Sequence, residues 1–288
     1  MAVKAYTDPG DKVLLQQPVY YPFSEVITDN GREVVSNDLV LAEEGTYKID
    51  FADFEQKIIA NGIKLFLLCS PHNPVGRVWT REELETIGDI CVKHGVTVVS
   101  DEIHNDFIWE GTHTVFAGIK KEFADISVTC TSPSKTFNLA SMLISNIFIP
   151  DQILRRKFRK EMDRAGISQL SVLGLVATEA AYAHGDEWYA AMKNYVRDNI
   201  AFARAYVEEN LPGVRMIDTQ GTYLIWLDFR QTGLTVEELD HKIIYEAGLW
   251  LDSGKIFGKT GEGFERINVA CPRAVLQEAL DRIRGILL

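Results

Sequence analysis

The chain has 288 residues, with 30 Lys and Arg against 41 Asp and Glu and a formal net charge of -11. That length holds one large domain or two ordinary ones with ample core and excludes a small binding module, while the acidic balance speaks against a phosphate-backbone reader, so no nucleic-acid partner is expected. With 46% hydrophobic residues and no apolar run near the roughly 18 residues of a membrane span, a cytoplasmic protein without a membrane partner is expected.

Residues 1–11 reach acidic and turn residues too early to hold the apolar stretch of a secretory signal. Through the first half, short apolar runs rich in β-branched residues alternate with helical patterns, which predicts βαβ units and a mainly parallel sheet. The predicted strands are 13–15, 65–69, 96–100, 126–130 and 144–149. Between the second and third, Thr80 and Glu83 form a capping box, Leu84, Ile87 and Cys91 an apolar stripe, and Gly95 a stop, predicting a crossover helix. From 168 to about 210 the pattern is helical and Ala-rich, with a break at Gly185-Asp186 before a long helix suited to linking two domains. After Pro212-Gly213, the stretch 222–229 predicts a strand. A second capping box at Thr235 and Glu238, a short strand near Leu249, a Gly-rich loop over 254–263, a strand at 266–269 and a last helix from near Pro272 complete a smaller α+β domain.

The expected architecture is therefore α/β, with a large domain at 1–190 and a small C-terminal domain at 191–288. Cys69, Cys91, Cys130 and Cys271 stand far apart without a C-x-x-C pair, so buried free thiols are expected in place of disulfides, and no metal site.

Ligands of open α/β sheets gather beyond the carboxyl ends of the strands, which directs attention to three strand ends. The first runs into Ser70-Pro71-His72-Asn73-Pro74-Val75-Gly76, where two prolines fix an Asn; the second delivers Asp101-Glu102-Ile103-His104; the third delivers Thr131-Ser132-Pro133-Ser134-Lys135-Thr136-Phe137-Asn138. Singly, each has an ordinary role: a turn Asn capping its own backbone, a helix-capping Asp, a core or solvated His, a surface Lys. Asp101 with His104 is also half of a metal site, but no further ligand has suitable spacing. Together, an amide, a carboxylate, an imidazole and a lysine flanked by hydroxyls outline a cofactor site. A lysine amine suits covalent attachment to a carbonyl cofactor, a carboxylate keeps a pyridinium nitrogen protonated, and Ser132 and Ser134 offer hydroxyls to a phosphate.

The strings Ser-Pro-His-Asn-Pro-Val-Gly, Val-Ser-Asp-Glu-Ile-His and Ser-Pro-Ser-Lys-Thr-Phe-Asn-Leu-Ala, in this order, resemble the pyridoxal-phosphate enzymes of the class I/II aminotransferase superfamily. The match is strongest to the MalY/PatB-type cystathionine beta-lyase group, its carbon-sulfur lyase branch. The resemblance implies the aspartate aminotransferase-like fold (fold type I), pyridoxal 5'-phosphate as cofactor, an amino-acid substrate and a homodimer. It implies that Lys135 carries the cofactor, Asp101 partners the pyridine nitrogen, Asn73 bonds the ring oxygen, and His104 stands where many relatives place a tyrosine for that same oxygen. Tyr20 matches the aromatic residue that stacks on the ring, with Tyr21 as competitor. Phe264-Glu265-Arg266-Ile267-Asn268 matches the strand carrying the arginine for the substrate carboxylate, Arg266, whereas Arg273 reads as structural. Gly258-Lys259-Thr260 resembles the end of a P-loop, but the earlier glycine it requires falls on Ser253, so a nucleotide site is rejected.

Against the family pattern, the chain starts after the glycine-containing phosphate loop and has Ser141 where glycine is usual. The expected activity is β-elimination from cysteine S-conjugates such as cystathionine, giving a thiol, pyruvate and ammonia. The alternatives are an aminotransferase, and a truncated chain that is non-catalytic or completed by a partner.

Overall fold

The structure, a computed structural model, describes every residue except 168 and 288. The expected helical start at residue 168 and the expected domain end at residue 288 thus lie outside the described residues. The strands are β1 (Lys12–Leu15), β2 (Glu33–Ser36), β3 (Val40–Leu41), β4 (Tyr47–Lys48), β5 (Leu65–Cys69), β6 (Thr97–Asp101), β7 (Ser127–Thr131), β8 (Asn146–Phe148), β9 (Arg215–Met216), β10 (Leu224–Asp228), β11 (Asp252–Ser253) and β12 (Phe264–Asn268). The large sheet has the order β2-β1-β5-β6-β7-β8 and is parallel except for β8, which runs antiparallel to β7. A second, antiparallel sheet has the order β11-β12-β10-β9, and β3 pairs with β4 in a two-stranded ribbon.

The central strand β5 is buried along its whole length, and its side chains divide by twos. Leu65, Leu67 and Cys69 enter one core with Val13, Leu15, Val99 and Val128; Phe66 and Leu68 enter the other with Leu14, Phe54, Trp79 and Ile87. Each such side chain contributes about 1.5–3 kcal/mol by leaving water.

The crossover between β5 and β6 is the helix Arg81–His94, with the predicted capping box at Thr80 and Glu83 and Gly95 at φ 66° closing it. Its buried face includes Gly88, where a Cβ would stand 2.3 Å from the Phe123 ring, which is itself stacked on Phe116. Gly88→Ala is therefore expected to destabilise the protein by about 1–3 kcal/mol despite the better helix propensity of alanine, because overpacking outweighs the propensity gain. Urea denaturation that gives a midpoint equal to or above the wild type would refute this.

The helix Asp186–Asn210 crosses residue 190, and its buried residues Val196, Ile200, Ala203 and Val207 pack with Ile225, Leu227, Ile267 and Leu280. Trp226, alternating with its strand neighbours, faces the other way and joins Phe257 and Phe264 in the core that holds Leu14 and Phe66. The second sheet thus shares one face with the large sheet's core.

Several elements differ from the sequence expectation. The strands predicted at 96–100 and 126–130 each run one residue later, so Asp101 and Thr131 lie inside strands. The strand placed near Leu249 falls at β11, and that placed at 266–269 begins at Phe264. Strand β2 and the helix Phe51–Asn61 were not predicted. The first is an edge strand with no fully buried residue, which leaves no alternation to detect; the second is announced only by Asp50, whose side chain accepts from the Asp53 N–H. All four cysteines are free, but only Cys69 and Cys91 are buried; Cys130 and Cys271 sit at or beyond strand ends and are partly exposed. No helix among the described residues is long and apolar enough to cross a membrane.

Candidate active site

Strands β5 and β6 end on one rung and β7 runs one residue past it, with Cys69, Asp101 and Cys130 side by side in register. The ladder continues one step further, since the Ser70 N–H donates to the Asp101 carbonyl and the Glu102 N–H to the Cys130 carbonyl, both at 2.9 Å. The three segments that follow are thereby fixed against each other. They surround a cavity of about 320 Å³ lined by Tyr20, Asn73, Asp101, His104, Ser132, Ser134 and Lys135. Every residue expected to touch the cofactor is in that lining.

The Asn73 turn is held by prolines and by the buried Cys69 thiol, which accepts from the Asn73 N–H at 3.4 Å. The Tyr20 N–H donates to the Asn73 carbonyl at 3.0 Å, which brings the Tyr20 ring to the same cavity. Tyr21 turns away and packs edge-on against Phe257, so of the two adjacent tyrosines only Tyr20 lines the cavity. Arg266 reaches the site from β12: one terminal nitrogen donates to Asn73 Oδ1 at 2.8 Å, the other pairs with Asp252, and its buried Nε has no partner. Arg273 bonds Asn199 Oδ1 at 2.7 Å and lies over the Phe202 ring, a structural position.

Ser132 departs from its expected role. It caps the short helix Pro133–Thr136, accepting from the Ser134 N–H at 3.1 Å, and its hydroxyl donates to the Ile144 carbonyl at 2.6 Å. A serine has one hydrogen to give, so the Ser132 hydroxyl is not a phosphate donor in this conformation. The Ser134 hydroxyl and the Lys135 amine have no side-chain partner among the described residues and both face the cavity.

Burial pushes the Asp101 carboxyl up to about 6, opposed by the Ile103 N–H that it accepts at 3.2 Å and by the nearby Lys135 charge. Burial, then the charges of Lys135 and Arg266, push His104 down to about 3, so its imidazole is neutral. His104 packs edge-on against Tyr223, and its Nδ1 is buried without a partner. Burial also raises the Tyr20 hydroxyl above its ordinary value.

Other lining residues escaped the sequence reading. Ile103 was legible by position, two residues beyond Asp101. Leu143 was not: an apolar residue in a loop reads as core, yet it is 86% exposed, has φ 55°, and forms part of the cavity wall. Asp252 pairs with Arg266 because β11 and β12 place them opposite each other, which only the fold reveals.

A family model described as aminotransferase class I and II matches residues 1–283. The chain belongs to this family. Within it, the chain is 46% identical over 288 residues to cystathionine beta-lyase PatB of Bacillus subtilis (strain 168), covering 100% of this chain and 74% of PatB. Among solved structures, cystalysin from Treponema denticola, which contains pyridoxal 5'-phosphate, superposes with a TM-score of 0.96 at 40% identity over 99% of this chain and 73% of that one. The PLP-bound C-S lyase from Staphylococcus hominis superposes at 0.92 with 34% identity, over 100% and 73%.

The donor set of this class I and II site fits the family's cofactor, pyridoxal phosphate. The half-buried Asp101 forms no ion pair with a neighbouring side chain among the described residues, the cavity-facing lysine amine is unpaired, and the buried His104 Nδ1 lacks the partner that a ring oxygen would supply.

Proposed function

We propose that this chain is a pyridoxal-phosphate-dependent carbon-sulfur β-lyase that releases a thiol, pyruvate and ammonia from cysteine S-conjugates. The observation that carries the proposal is the convergence of Asp101, Asn73, Tyr20 and Lys135 on one cavity at the ends of adjacent strands. The 46% identity to PatB and the likeness to cystalysin and a C-S lyase favour elimination over amino transfer.

In this reading Lys135 would hold the cofactor covalently, Asp101 would partner the pyridine nitrogen, Asn73 and His104 the ring oxygen, Tyr20 would pack against the ring and Ser134 would donate to the phosphate. Bound there, pyridoxal phosphate supplies a sink for the electron pair left at the substrate α-carbon. Arg266 receives the substrate carboxylate in a two-point contact, its orientation fixed by Asn73. When not attached to the cofactor, the Lys135 amine, which has no partner among the described residues, would take the α-proton. The neutral His104 donates or accepts one hydrogen bond without adding a charge that would compete with Lys135.

Arg266→Lys is expected to raise KM by about 10–100-fold, with a smaller change in kcat, because an ammonium cannot reproduce the fork that meets a carboxylate. Steady-state rates against substrate concentration test this, and an unchanged KM would remove Arg266 from substrate binding.

We further assign residues 1–190 to the cofactor-binding domain and 191–288 to the small domain, and the location to the cytoplasm, in keeping with four free cysteines. A homodimer is supported by a run of exposed apolar residues on the helix Val172–His184, where Val172, Leu173, Leu175 and Val176 present more apolar surface than a monomer usually leaves to water.

The deciding experiment for the activity is an absorbance spectrum with added pyridoxal phosphate, followed by assay of released thiol from a cysteine S-conjugate. Thiol with pyruvate supports the lyase; keto acid without thiol supports the aminotransferase; no cofactor absorbance refutes both.

A further inference from the structure

A second cavity, of about 240 Å³, adjoins the first at Lys135. Ser134, Lys135 and Ala140 line both, so the segment carrying the lysine forms a common wall. The rest of the lining is Phe107, Tyr223, Trp188 and Met192, with Ala270, Thr136 and two asparagines. The rings of Phe107 and Tyr223 meet edge-on at 4.9 Å, and Trp188 is stacked on Phe137. The Thr136 hydroxyl is engaged by Asp106. Apart from Lys135, no lining residue carries a charge. Beyond Trp188, Met192 and Ala270, which are again a shared wall, an apolar groove of about 380 Å³ leads past Tyr195 and Pro272.

We propose that this second cavity is the binding site for an apolar thiol or thioether group, namely the sulfur substituent of the substrate. The proposal rests on the lyase reading for the identity of the substrate. In a cysteine S-conjugate the sulfur lies two bonds from the carbon whose proton Lys135 takes, which sets the substituent's point of attachment near the lysine that both cavities share. Thioether and thiol sulfur pack favourably against aromatic edges and methionine. A second amino-acid head group, such as that of cystathionine, would bring an ammonium and a carboxylate into a space whose lining offers neither an anion nor a second cation, and unpaired charge is costly to desolvate. Alkyl and aryl cysteine conjugates are therefore preferred over cystathionine.

The test has two arms. In the first, phenylmethanethiol is titrated into the protein without cofactor while tryptophan fluorescence is followed. The expected result is saturable quenching that is lost in Trp188→Phe and weakened at least about fivefold in Ala270→Leu and in Met192→Phe. Ala270 is exposed and outside the core, so a larger residue fills the space without disturbing packing; Met192 is half-buried and packs against the core, so Met192→Phe is read only together with a thermal unfolding curve that matches the wild type. In the second arm, kcat/KM for S-benzylcysteine exceeds that for cystathionine by at least about tenfold, and the ratio falls in both filled variants. No saturable binding, binding indifferent to both variants, or faster turnover of cystathionine overturns the assignment. Quenching as expected with no thiol released from any conjugate would remove the lyase reading and leave the apolar site in place.

Discussion

Lys135→Ala is expected to lower kcat/KM by about 10⁴-fold and to abolish the cofactor absorbance that borohydride fixes to the protein. The side chain has no ion-pair or hydrogen-bond partner among the described residues, so its removal takes away only the amine that faces the cavity. Stability should stay within about 0.5 kcal/mol of the wild type, as for substitutions that break no packed or paired contact. A variant keeping more than a tenth of wild-type kcat/KM, or one still labelled covalently by borohydride, would show that another group performs both tasks. Comparable thermal unfolding of the two proteins would exclude misfolding as the cause.

Asp101→Asn is expected to do two opposite things. It should lower kcat/KM by about 10²–10³-fold, because the amide cannot hold a positive charge on the ring nitrogen that it would face. It should also make the cofactor-free protein more stable at pH 8. Burial raises the Asp101 carboxyl from 3.8 to about 6 in the folded protein, so the native state binds this proton more tightly than the unfolded chain. The stability contributed by the protonated form is complete below about pH 4 and is lost as pH rises through 6, a loss of at most about 3 kcal/mol. Asparagine cannot ionise and escapes that loss. Calorimetry should show the variant melting several degrees higher at pH 8 and no higher at pH 4. Equal melting temperatures at both pH values would mean that the carboxylate is solvated well enough to ionise at no cost.

The strand ends were legible because three short runs, one of Leu and Phe and two rich in Val and Thr, each stop abruptly at polar groups, and parallel topology places such ends together. The capping boxes at Thr80 and Thr235 were equally plain, since each is a local bond between residues three apart. What stayed hidden depends on distant neighbours. Nothing near Arg266 in sequence shows that it bonds Asn73, 193 residues away, or that Asp252 would sit across from it on β11. The fate of the Ser132 hydroxyl rests on the Ile144 carbonyl, which comes alongside only because the chain turns back through Leu143. Edge strand β2 was missed for a different reason: an edge exposes its residues on both faces and erases the alternation that marks a strand.

The rung on which β5 and β6 end flanks Asp101 with sulfur on both sides, from β5 and β7. Burial pushes the Cys130 thiol up to about 12 and that of Cys69 still higher, so neither brings charge to the carboxylate on the strand between them. A group that ionised at either position would set a like charge beside Asp101 and push its carboxyl further up, with the backbone ladder unchanged. Acidity and geometry are thereby separable on this rung at position 130, whereas at position 69 the same thiol also accepts from the Asn73 N–H and holds that turn.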